Sequence, residues 1–146
     1  MKLKIKTSSP EETMKVAEKF ASSLGYPVVI SLIGDLGAGK TTFTKGFAKG
    51  LKIDENITSP TFTIMNEYSS GRKPLYHFDM YRLNSLEEAL ELGFSEYFDL
   101  TTLKGASIVE WAENTKGILP ERHFEVQITK LGEEQREISI EPKGLV

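Results

Sequence analysis

The sequence predicts an α/β fold of three layers, with a mixed, mainly parallel central sheet and an antiparallel C-terminal hairpin. Three observations predict it. Segments rich in β-branched residues alternate with segments of helical periodicity, as in chains that wrap helices around a sheet. The run VVISLI at 28–33 is apolar apart from one serine, the mark of a strand covered on both faces. Near the end, HFEVQITKL and REISIEP flank the polar LGEEQ and read as two paired strands. At 146 residues, with no internal repeat or Pro/Gly/Ser-rich linker, the chain reads as one domain over 1–146.

The elements follow in order. KLKIKT alternates polar and apolar side chains, as a short edge strand does. In SSPEE, Ser9 is placed as N-cap, Pro10 as the first helical residue and Glu12 as partner in a capping box. Met14, Ala17, Phe20, Ala21 and Leu24 then recur at helical spacing, and Gly25 is expected to end the helix. VVISLI leads into a glycine-rich loop, and TTFTKGFAKGL continues as a helix with Phe43, Phe47 and Leu51 on one face. TFTIMNEY (61–68) and LYHFDMY (75–81) read as strands joined by the turn SSGRKP. SLEEALELG (85–93) repeats the capping signals with Ser85 and Glu88, and Gly93 as the stop. FSEYFDLTT reads as helix to loop, and ASIVEW (106–111) as another buried strand.

Composition removes several classes of function. Hydrophobic residues make up 39% and charged residues 27%, an ordinary soluble balance. The formal net charge is -3, from 18 basic and 21 acidic side chains, which does not suit a chain gripping a nucleic-acid backbone alone. Any RNA in its function is expected to be held mainly by a partner. With no cysteine there is no disulfide, thiolate nucleophile or zinc ribbon, and two histidines rule out a multi-histidine metal site within one chain. The N-terminal stretch has no apolar core of a secretory signal, and no run approaches the roughly 20 apolar residues that span a bilayer. A cytoplasmic protein with no membrane partner is the expectation.

GDLGAGKTTF carries the clearest chemistry. Gly34, Gly39, Lys40 and Thr41 satisfy G-x-x-x-x-G-K-[ST] at every defined position, between a predicted strand and a predicted helix. The loop Gly34, Asp35, Leu36, Gly37, Ala38, Gly39 would turn main-chain N–H groups toward anionic oxygens. The following helix presents the positive end of its dipole to them. Lys40 brings a compact charge to the β- and γ-phosphates. Thr41 offers a hydroxyl to Mg²⁺, and Thr42 faces the α-phosphate side. The fold class thereby sharpens to a three-layer P-loop NTPase.

Such a site needs a carboxylate at the end of a neighbouring strand, and Asp79 in YHFDMYRL stands where it is required. Asp99 fits less well, because its segment reads as helix to loop. Glu110 closes SIVEW after two apolar residues, where a carboxylate is costly unless paired or near a metal. It is a candidate to polarise an attacking water or complete a metal shell. Thr58, Ser59, Pro60, Thr61 and Phe62 fall where loops that sense a γ-phosphate lie, though Pro60 equally suits a plain turn. Trp111 reads first as core, Arg82 as a salt-bridge partner, His77 as a satisfied strand histidine and Ser9 as a helix cap.

The D-x-x-G and N-K-x-D signatures of Ras-like GTPases are missing, and NTKG at 114–117 does not fit the latter, so ATP is favoured over GTP. Segment 83–105 contains no arginine to form a kinase lid. The residues alone leave three readings: an ATPase serving a partner, a small phosphotransferase, and a nucleotide sensor that needs no hydrolysis.

Taken together, GDLGAGKTTF, SPTF, HFDMYRL and VEW, in this order and at these separations, closely resemble the bacterial TsaE family. The resemblance runs from the first helix to Trp111. It implies the P-loop ATPase of tRNA threonylcarbamoyladenosine biosynthesis, with ATP and Mg²⁺ as cofactors. It further implies catalytic roles for Lys40, Asp79 and Glu110, and a metal site at Thr41, Asp79 and Glu110. Residues 34–42 would be the ATP site and 58–62 a switch-like loop. The implied partners are TsaD and TsaB, with tRNA met indirectly through their complex, whose turnover ATP hydrolysis would permit.

Overall fold

In a computed structural model, residues 2–35 and 37–144 are described. Seven strands form one sheet: β1 (Leu3–Thr7), β2 (Val28–Gly34), β3 (Met65–Tyr68), β4 (Leu75–Asp79), β5 (Ala106–Glu110), β6 (His123–Lys130) and β7 (Arg136–Lys143). Their spatial order is β1-β7-β6-β2-β5-β4-β3. The centre is parallel, with β2 between β6 and β5 and β5 against β4. Antiparallel pairs close both edges: β1 with β7, β7 with β6, and β3 with β4. The mixed sheet and C-terminal hairpin are therefore as expected, with parallel pairing confined to the middle.

Helices α1 (Pro10–Ser23) and α2 (Lys40–Gly50) cover one face; α3 (Leu86–Glu91) and 3-10 turns at Phe94–Tyr97 and Ala112–Thr115 cover the other. Strand alternation divides the core accordingly. Ile30, Leu32 and Ile108 pack with Phe43, Phe47 and Leu51 of the α2 region. Val29, Phe78 and Val109 pack with Ala89, Phe94 and Phe98 opposite. The two large helices approach closely at glycines: a Cβ on Gly46 would stand 2.3 Å from the Met14 carbonyl oxygen, and one on Gly50 2.5 Å from that of Glu18.

Both capping signals operate, displaced by one residue in one of their two bonds. Ser9 Oγ accepts from the Glu12 N–H, but Glu12 Oε1 accepts from Ser8 rather than Ser9. Ser85 and Glu88 repeat this, with Asn84 as the backbone donor. Gly93 takes the left-handed conformation expected of a helix stop (φ 81°). Gly25 does not, because Leu24 leaves α1 in extended conformation and no left-handed cap forms.

Three of the strand boundaries that differ from expectation lie beside the carboxylates. β3 begins at Met65, not at residue 61. The Ile64 N–H bonds the Pro60 carbonyl at 2.7 Å and Ile64 adopts φ 68°, so residues 61–64 form a turn. β4 stops at Asp79, whose Oδ1 accepts the Tyr81 N–H and curls the chain. β5 stops at Glu110 because Trp111 is left-handed, at φ 60°. β2 also emerges past the covering layers at its end, leaving Ile33 37% exposed.

Candidate functional site

The parallel strands β2, β4 and β5 end together, and ligands of open α/β sheets bind beyond such ends. The loop after β2 supplies the first part of the site. Gly37 and Gly39 both sit at positive φ, 79° and 107°, where a side chain is strained. The Ala38 N–H closes a turn on the Asp35 carbonyl, and the Phe43 N–H makes the first helical bond to Gly39. Among the described residues, the remaining donors at the head of α2 have no backbone partner, and they coincide with the positive end of its dipole. Lys40 opens the helix, with Thr41 and Thr42 half-buried behind it. Leu36 lies outside the described residues.

Asp79 and Glu110 face each other across β4 and β5 as register partners. Alternation along both strands turns them, with His77, toward the α1–α2 face. Each is only 5% exposed, and their neighbours account for that burial of charge. Glu110 Oε2 lies 2.7 Å from His77 Nε2, and Oε1 lies 3.5 Å from Lys40 Nζ. Asp79 Oδ1 accepts the Tyr81 N–H at 3.0 Å, and Oδ2 accepts the Thr61 hydroxyl at 3.3 Å. The loop at 58–62 is thus tied to Asp79, through Thr61. Ser59 shares a 2.8 Å hydroxyl contact with Thr61, and the Thr58 N–H reaches the Tyr68 hydroxyl. Pro60 is buried, while Phe62 is 84% exposed at the rim.

Three side chains differ from their sequence reading. Trp111 is not core: it is 39% exposed, edge-on to Tyr81, with Lys40 Nζ 5.6 Å from its ring centre. The left-handed turn after β5 swings it out over the loop. Arg82 reaches the Phe62 ring at 5.7 Å and, among the described residues, makes no ion pair. His77 is fully buried and satisfied at Nε2 only; Nδ1 has no partner among the described residues. Sequence reasoning missed one residue altogether. Arg136, at the start of β7, donates from Nε to the Ala38 carbonyl at 2.8 Å and from Nη2 to that of Gly37 at 3.2 Å. A single arginine opening a terminal strand carries no signal of this in one dimension.

The loop separates two recesses. A cavity of about 250 Å³ above β2, β5 and β6 is lined by Gly34, Asp35, Lys40, Trp111 and Glu113 among others. On the other side, a recess of about 60 Å³ holds Gly39, Thr42, Pro10, Thr13, Glu133 and Arg136. Two buried carboxylates and a threonine hydroxyl are hard oxygen donors, the set that suits Mg²⁺ rather than zinc. No group of three or more His, Asp or Glu side chains among the described residues is gathered to hold a metal unaided.

Fold and loop together define a protein of the P-loop NTPase fold class, with a lysine and two strand-end carboxylates at one mouth. The comparisons narrow this. The family described as "Threonylcarbamoyl adenosine biosynthesis protein TsaE" matches residues 7–138. A Bacillus subtilis protein named tRNA threonylcarbamoyladenosine biosynthesis protein TsaE is 45% identical over 142 residues, covering 97% of this chain and 87% of its own. A Nostoc protein of the same name is 41% identical over 140 residues, covering 95% and 85%. The crystal structure of Bacillus subtilis YdiB superposes with a TM-score of 0.83 at 42% identity, covering 99% of this chain and 87% of that one. The chain belongs to the TsaE family.

Proposed function

We propose that this protein is the Mg²⁺-dependent ATPase subunit of tRNA threonylcarbamoyladenosine biosynthesis, acting on a TsaB–TsaD complex to permit its turnover. The observation that carries the reading is the meeting of the P-loop lysine with the strand-end acid. Lys40 Nζ stands 3.5 Å from Glu110, with Asp79 beside it in register. The names of the relatives supply the pathway, and family resemblance supplies the partners and the nucleotide.

On this reading the triphosphate lies along Gly34–Thr42, and Lys40 turns from Glu110 to the β- and γ-phosphate oxygens. Thr41, Asp79 and Glu110 would hold Mg²⁺, which when bound neutralises charge on those oxygens. Each carboxylate oxygen already accepts one contact and keeps a further lone pair with which it would help hold the cation. Glu110 orients the attacking water and accepts its hydrogen bond. The water oxygen joins the γ-phosphorus as the bond to the β–γ bridging oxygen breaks, giving ADP, inorganic phosphate and a proton. Thr61, bonded to Asp79, links the 58–62 loop to the state of the γ-phosphate. The exposed aromatics Phe62, Tyr81 and Trp111 ring the mouth, where a partner protein would feel that state.

The test is a reconstituted threonylcarbamoylation of tRNA with TsaB and TsaD, run with and without this protein. Repeated turnover is expected only with the protein and hydrolysable ATP. Full multi-turnover modification in its absence rejects the reading.

A further inference from the structure

All five hydrogen bonds recorded for the Arg136 guanidinium end on backbone carbonyls. Three hold its own turn, at Gly132, Glu133 and Gln135, and two reach the phosphate loop, at Gly37 and Ala38. No ion pair to it occurs among the described residues. Every hydrogen bond of this half-buried guanidinium among the described residues thus orients a peptide group.

Peptide geometry gives those contacts a consequence. The 38–39 peptide bond is trans, since Tyr26–Pro27 is the one cis bond among the described residues. In a trans peptide the carbonyl and the following N–H point in opposite directions. With the Ala38 carbonyl held outward at 2.8 Å by Arg136, the Gly39 N–H is turned inward, at the head of α2 where an anion is received. Gly39 sits at φ 107°, and glycine alone moves freely between this and other conformations. A Cβ there would lie 3.8 Å from Arg136 Nε, an ordinary contact, so shape alone does not fix the peptide. The hydrogen bond does.

We propose that Arg136 is a positioning residue for the phosphate loop: it sets the Gly39 N–H toward the bound anion, so nucleotide affinity depends on the C-terminal hairpin. The inference deepens the nucleotide-binding reading and rests on it. It makes the hairpin part of the site, although no loop motif includes it.

The experiment compares wild type, Arg136→Lys and Arg136→Ala by calorimetric titration with ADP and by the ¹⁵N–¹H resonance of Gly39 without ligand. Arg136→Ala is expected to weaken ADP binding about tenfold, the worth of one oriented hydrogen bond to an anion. Arg136→Lys recovers only part of this, because an ammonium cannot span both carbonyls. The Gly39 resonance is expected to shift in both variants. An unshifted Gly39 resonance with unchanged ADP affinity overturns the proposal, even if the melting temperature falls, since that is a purely structural role. If Arg136→Ala does not fold, the same two readings on Arg136→Lys decide. If wild type itself binds no ADP, the nucleotide reading fails, while the Gly39 resonance still tests Arg136.

Discussion

His77 Nε2 and Glu110 Oε2 stand 2.7 Å apart in a pair closed to solvent on the histidine side, while the other Glu110 oxygen faces Lys40. The carboxylate is thus held from behind by β4 and addressed from the front by the phosphate loop. Because the Glu110 carboxylate accepts, Nε2 carries the hydrogen.

Replacing His77 should therefore act on turnover more than on binding. His77→Leu removes a hydrogen bond to a charged group, worth about 1.5–3 kcal/mol. Single-turnover hydrolysis is expected to fall about tenfold or more, with ADP affinity little changed. His77→Gln, which keeps an N–H donor, should restore part of the rate. Equal loss in both variants, tracking loss of stability, would mean that His77 only fills space.

Glu110→Gln keeps the shape and a hydrogen-bonding group but removes the charge. Nucleotide binding should survive and hydrolysis should drop by about 10²–10⁴-fold, the usual scale for a lost acid–base group. Phosphate release and fluorescent-nucleotide binding measure the two separately. Wild-type hydrolysis in this variant removes Glu110 from the chemistry.

Chelating Mg²⁺, or making Asp79→Ala, should abolish hydrolysis. Thr41→Val should raise the Mg²⁺ concentration needed for half-maximal rate, since it keeps the side chain's shape and deletes the hydroxyl proposed to hold the cation. Metal titrations of the ATPase rate check this. A Thr41→Val curve superimposable on wild type places the cation elsewhere.

The α1–α2 contact gives a prediction remote from chemistry. Gly46→Ala would drive a Cβ to 2.3 Å from the Met14 carbonyl oxygen. The helices must separate, costing about 1–3 kcal/mol as overpacking does. A lower urea midpoint with unchanged slope is the expected result. An unchanged midpoint shows that the interface can shift freely.

Burial pushes the Tyr26 phenol up to about 12, against the opposing pull of the nearby Arg72 guanidinium. The folded chain thus keeps a proton that the unfolded chain releases near pH 10. The resulting stability is fully present below pH 10 and is lost as pH rises toward 12. Tyr26→Phe should lose the bond to the Ala21 carbonyl at neutral pH but abolish this alkaline decline. Urea melts at stepped pH test it, and parallel curves for the two proteins refute it.

Much of the fold was legible because its signals are local. Capping pairs, helical periodicity and the unbroken apolar run of β2 place α1, α2, α3 and the buried strands within a few residues. The phosphate loop was legible for the same reason, since its spacing encodes a turn, a strand end and a helix start within ten residues. What went unread lies where tertiary contacts override the local pattern. TFTIMNEY has the composition of a full strand, yet Thr61 bonds Asp79 from the adjoining strand, and residues 61–64 fold into a turn. Trp111 has the composition of core, yet a left-handed residue at the end of β5 turns it outward.

By itself the sequence determined an α/β fold of the P-loop class with a glycine-rich loop and two strand-end acids, because each of those is written in contiguous residues. Tertiary structure alone decided which partners those residues meet. His77 backs Glu110 across 33 positions, and Arg136 reaches Ala38 across 98. Such contacts depend on strand order and register, β4 beside β5 and the terminal hairpin beside β2, which no short stretch of chain records.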